Sequence, residues 1–85
     1  MVIDYTPTGI CASHIRIEID GDIVQSVEFT NGCPGNHKGL NALVRGMAID
    51  DVIERLSGIT CHTKPTSCPD QLAQALIQYK ASLRA

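Results

Sequence analysis

Apolar and polar positions alternate from His14 to Asp20, with Ile15, Ile17 and Ile19 on one face and Arg16 and Glu18 on the other. That period of two is the signature of a half-buried strand. Asp20-Gly21-Asp22 follows, and glycine accepts the positive φ that a hairpin turn requires. A second strand is predicted beyond it, with Ile23, Val27 and Phe29 on one face and Glu28 and Thr30 on the other. Asn31-Gly32-Cys33-Pro34-Gly35-Asn36 reads as punctuation. Past it the period changes: Leu40, Leu43, Val44 and Met47 recur at helical spacing, with Gly46 as a stop. Ile49, Val52, Ile53 and Leu56 predict a second, short helix. Asp50 and Asp51 in its first turn suit the positive end of the helix dipole, and Gly58 ends it. Residues 59–67 read as a loop. A last helix is predicted to begin at Pro69, where the missing N–H costs nothing. Its buried stripe is Leu72, Ala75, Leu76, Tyr79 and Leu83. Residues 5–9 leave room for a third strand but carry no period that identifies one. The order of elements is that of an α+β domain: an antiparallel β-hairpin or small three-stranded sheet, followed by about three helices packed on one face.

The 85 residues are read as one domain, 1–85. Aromatic residues are only 4% and tryptophan is absent, so the core must be built from short aliphatic side chains. A core of that kind in so short a chain is modest, and a bound metal is one way to support it. The formal net charge of -2 comes from scattered charges and leaves no basic stripe, which argues against a nucleic-acid partner. No apolar run approaches the roughly 18 residues of a membrane span. Met1-Val2-Ile3-Asp4-Tyr5 lacks the basic and apolar regions of a secretory leader. The expectation is a cytoplasmic protein whose thiols stay reduced.

In that setting the four cysteines, Cys11, Cys33, Cys61 and Cys68, read as metal ligands or redox groups ahead of disulfides. Zinc and iron–sulfur sites both need about four soft ligands around one point. Cys61 and Cys68 are separated by more residues than in a zinc knuckle, so spacing alone does not define the site. Topology adds to it. Cys11 precedes the hairpin and Cys33 follows it, and antiparallel strands return the chain to its starting edge. Cys33-Pro34 and Cys68-Pro69 each stand where a loop gives way to a helix, and a helix N-terminus favours an anionic sulfur. Cysteine is also a common buried hydrophobe, and that alternative stands beside metal binding. Against it, all four lie at loops or element ends beside Gly, Pro and polar residues.

His62, His37 and Asp70 are second choices as ligands, with His62 beside Cys61 and His37 just beyond Cys33. Loop histidines are more often solvated, and Asp70 also fits helix-end charge complementarity with Thr66 or Ser67 as cap. His14 opens the first strand and has no chemical role assigned. Gly32, Gly35, Asn36 and Gly39 flank a helix start, but they match neither a P-loop nor a dinucleotide fingerprint.

These residues together resemble the small-protein branch of the TSCPD domain family. The matching stretches are Tyr5-Thr6-Pro7-Thr8-Gly9-Ile10-Cys11, Asn31-Gly32-Cys33-Pro34-Gly35-Asn36, Gly46-Met47, Leu56-Ser57-Gly58-Ile59-Thr60-Cys61 and Thr66-Ser67-Cys68-Pro69-Asp70-Gln71-Leu72-Ala73. They cover almost the whole chain, and the last is specific to the family. Related domains stand at the C-terminus of cobalamin-dependent ribonucleotide reductases. The resemblance implies metal binding through Cys11, Cys33, Cys61 and Cys68. The order of parts is also similar to iron–sulfur assembly scaffolds of the NifU/IscU type. There a cysteine precedes a hairpin, a second follows it, and a third opens the last helix. Cys11, Cys33 and Cys68 fall on those positions. Ser67 stands where those scaffolds carry histidine, and Ser13 where they carry aspartate.

Three expectations about function follow. The first is a non-catalytic domain holding structural zinc on four thiolates, since an all-cysteine set suits a closed site. The second is an iron–sulfur cluster scaffold or carrier, with cluster-assembly machinery as partner. The third is an accessory module of ribonucleotide reduction, with the reductase as partner. The chain is too short to hold a reductase barrel and has no Cys-x-x-Cys pair.

Overall fold

The isoleucine face of the first predicted strand organises the molecule. In the computed structural model, which describes residues 1–10, 12–32, 34–60 and 65–83, three strands form an antiparallel sheet in the order β1-β2-β3. These are β1 (Val2–Tyr5), β2 (His14–Asp20) and β3 (Ile23–Thr30). Ile3 and Tyr5 of β1 stand opposite Ile17 and Ile15, which in turn face Val27 and Phe29 of β3. Three helices follow: α1 (Pro34–Val44), α2 (Ile49–Leu56) and α3 (Cys68–Leu83). The fold is therefore α+β, as the periodicity predicts, with the third strand lying nearer the N-terminus than residues 5–9.

One apolar cluster joins sheet and helices. Ile15, Ile17, Ile19, Val24 and Val27 meet Val44 of α1, Ile49 and Val52 of α2, and Leu72, Ala75 and Leu76 of α3. The other face of β2, with Arg16, Glu18 and Asp20, is exposed. Two predicted core positions are corrected. Leu43 is 76% exposed and Leu83 65% exposed. Leu43 gives way to its neighbour Val44 on the inner face of α1, and the end of α3 runs past the last side chain of the core, Tyr79.

β3, the second strand of the predicted hairpin, departs from simple alternation. Glu18 pairs with Ser26, but Ile19 pairs with Val24, so Gln25 is an extra residue on β3. Such a bulge inverts the faces on one side of it. Val24 is therefore fully buried and Ile23 only half-buried, the reverse of the predicted pattern.

The outer edge of β3 is occupied. Gly46 N donates to Val24 O (2.8 Å), Val24 N to Met47 O (2.9 Å) and Ile49 N to Asp22 O (2.8 Å). Farther along, Val27 N donates to Asn41 Oδ1 at 2.7 Å, so a side chain of α1 takes the place of a strand partner. This fixes α1 against β3 and sets the helix start beside the end of the strand. Gly46 (φ +83°) lies between α1 and α2, and Gly58 (φ +82°) lies beyond α2, as the stop signals predict. No helix among the described residues is long and apolar enough to cross a membrane.

Candidate functional site

The N-terminus of α3 is held by a dense network of side-chain hydrogen bonds. Ser67 caps it: its Oγ accepts from Asp70 N at 3.2 Å and donates to Ile59 O at 2.7 Å. The helix begins at Cys68, so Pro69 occupies its second position, not its first. Proline is harmless there too, because the opening N–H groups of a helix have no partner within it. Asp70 is buried, and both its oxygens are engaged. Oδ2 accepts from Thr66 Oγ1 at 2.5 Å, and Oδ1 from Gly58 N at 2.7 Å. The Thr66 and Gly58 bonds hold its carboxyl below the ordinary aspartate range, outweighing a burial that pushes it up. Gln71 extends the network, donating from Nε2 to Thr66 Oγ1 (2.9 Å) and accepting from Thr8 N (3.0 Å).

Cys68 stands on this platform, half-buried. His37 approaches it from α1, with Nε2 3.4 Å from Cys68 Sγ. Three features hold the imidazole. It is 9% exposed. It stacks on Phe29 with ring centroids 4.2 Å apart and 16° between planes. Gly32 yields it space, since a Cβ there would lie 2.7 Å from His37 Cε1. Gly32 has φ +98°, a conformation that also favours glycine. Burial pushes the imidazole below its ordinary pKa, which favours the neutral ring.

Cys11, Cys33, Cys61 and His62 lie outside the described residues. Their described neighbours along the chain nevertheless come together. Ahead of Cys11, Thr8 binds Gln71, and a Cβ at Gly9 would meet Thr66 Cγ2 at 2.9 Å. After it, Ala12 N is 3.7 Å from where a Cβ of Gly32 would stand. Gly32, which precedes Cys33, touches the imidazole that touches Cys68. Ile59, two residues before Cys61, is tied to Ser67. Among the described residues alone, no three His, Cys, Asp or Glu side chains form a group able to hold a metal.

A cleft of about 470 Å³ opens along this region, between Phe29 and Gly32 on one side and His37, Lys38 and Asn41 of α1 on the other. His14 is elsewhere, paired with Asp4 on the exposed sheet (2.9 Å).

From sequence alone His37 is a loop histidine and a second choice as ligand. A signal was present: His37, Leu40 and Val44 are spaced i, i+3, i+7, which puts the histidine on the inward stripe of α1. Its contact with a residue 31 positions away has no local signature.

A small α+β domain with a Thr-Ser-Cys-Pro-Asp helix start is the class that fold and site define. The family model of the TSCPD domain matches residues 1–80, and the chain belongs to that family. No curated protein and no solved structure matches it.

Proposed function

We propose that this chain is a non-catalytic metal-binding domain that holds zinc at a thiolate-rich site drawn from Cys11, Cys33, Cys61 and Cys68. The observation that carries the proposal is the meeting of the cysteine-flanking segments around Cys68. Consecutive Cα atoms are about 3.8 Å apart, so a residue cannot stray far from its neighbours. Thr8, Gly9 and Ile59 reach the α3 start or the two residues before it, Gly32 reaches it through His37, and Ala12 lies beside Gly32. The donor chemistry fits as well. A cysteine sulfur and an imidazole nitrogen are both preferred zinc ligands, and they stand side by side here. Asp70 serves differently in this reading. Its bonds to Thr66 and Gly58 brace the loop on which the sulfur is carried.

Bound zinc would supply charge and cross-linking at the junction of the first loop, the hairpin exit and the last helix. Structural zinc can contribute on the order of 10–16 kcal/mol, as much as the whole net stability of about 5–15 kcal/mol typical of a folded domain. Elemental analysis of protein purified under reducing conditions tests the proposal: about one zinc per chain is expected. Stoichiometric iron with thiolate-to-iron absorption would select a cluster scaffold instead. Absence of both metals would end the metal-binding reading.

Family membership favours one further reading, a module that works beside a ribonucleotide reductase, because related domains are found at the C-terminus of such enzymes. That role is compatible with structural zinc and concerns the partner, not the site. Co-purification with a cobalamin-dependent reductase from the source cells is the expected sign of it.

A further inference from the structure

His37 is too well built into the fold to be a bystander. A backbone glycine gives up its side chain for it, an aromatic ring stacks on it, and Asn41, one turn along the same helix, anchors that helix to β3. All three constraints fix where Nε2 points, and it points at Cys68 Sγ from 3.4 Å.

That separation is informative. Zinc binds thiolate sulfur at about 2.3 Å and imidazole nitrogen at about 2.0–2.1 Å, and a tetrahedral angle between them puts the two donors roughly 3.5 Å apart. The observed distance is that of an imidazole–sulfur hydrogen bond and equally matches this edge of a zinc tetrahedron. We propose that His37 Nε2 and Cys68 Sγ are ligands of the same metal, so that the centre has three thiolates and one imidazole. This rests on the metal-binding reading above and changes its ligand set. Five donors then serve four positions, and one of the cysteines other than Cys68 is surplus. The exchange has an electrostatic consequence. Zinc with four thiolates carries two net negative charges, and zinc with three carries one, which is less costly to hold in a partly buried site.

Zinc K-edge X-ray absorption of the zinc-loaded wild-type chain decides the matter. Three sulfurs near 2.3 Å and one nitrogen near 2.0 Å are expected. In His37→Ala the nitrogen shell should be lost or replaced, and competition with a chromophoric chelator should show zinc affinity lowered at least ~100-fold, beyond the usual range for outer partners. Single Cys→Ser variants at positions 11, 33 and 61 should include one that keeps wild-type stoichiometry. Four sulfurs and no nitrogen in the wild type would overturn the inference while leaving the metal-binding reading intact. No metal at all would overturn both. The wild-type spectrum is sufficient, so a variant that fails to fold does not blunt the test.

Discussion

Single residues around α3 carry unusual structural weight, and two of them make sharp tests. Gly32 combines φ +98° with a Cβ position 2.7 Å from His37. Gly32→Ala is therefore expected to strain the backbone and push the imidazole away from Cys68. The expected cost is about 1–3 kcal/mol in denaturant unfolding, with weakened zinc binding. Asp70 offers the second test. Its carboxylate takes bonds from a buried hydroxyl and a backbone N–H at once. Asp70→Ala should cost about 2–4 kcal/mol, because both donors lose a charged partner. Zinc content per folded chain should stay at the wild-type level, since the residue braces the site and does not complete it. Asp70 is readable from sequence as a helix-end acid. Its reach back to Gly58 is not, because that contact joins positions 12 residues apart and has no local signature.

At the scale of elements, the strongest periodicities were the most legible. Ile15, Ile17 and Ile19 announce β2, and Ile49, Val52, Ile53 and Leu56 announce α2, with bounds that the structure reproduces. β1 escaped because four residues with two half-buried side chains carry too little pattern. The bulge at Gln25 escaped because nothing local requires it. It becomes favourable only when Val24 and Val27 must both reach the core while Gly46 and Met47 take the outer edge. Asn41 belongs to the same arrangement. Asn41→Ala would leave Val27 N–H without its partner, at a cost of about 1–2 kcal/mol. Hydrogen exchange should show it locally: the Val27 amide is expected to lose protection well before the amides shared by β2 and β3. Equal loss across the sheet would instead mean that Asn41 acts through α1 packing alone.

For the whole molecule, the question is how a core of short aliphatic residues holds three strands and three helices together. Leu76 is fully buried in that core, which α3 shares with the sheet and the other helices. Leu76→Ala should cost about 2–5 kcal/mol, a large share of the 5–15 kcal/mol typical of a folded domain. The polar network at the α3 start carries Cys68, with His37 Nε2 beside its sulfur. Sequence names four sulfurs as candidates by residue type and by position at element ends, and of these Cys68 is among the described residues. His37 is a second choice from sequence, and its contact with Cys68 is visible only in three dimensions. Metal at the α3 start would tie the two loops, the hairpin exit and the last helix into one cooperative unit. Circular dichroism during chelator titration of the reduced, as-isolated protein tests this most directly. Helical signal should fall in step with removal of one zinc per chain and return when zinc is restored. A chain that gives up its metal and still unfolds cooperatively at the original denaturant midpoint would contradict the account, as would one that never held metal.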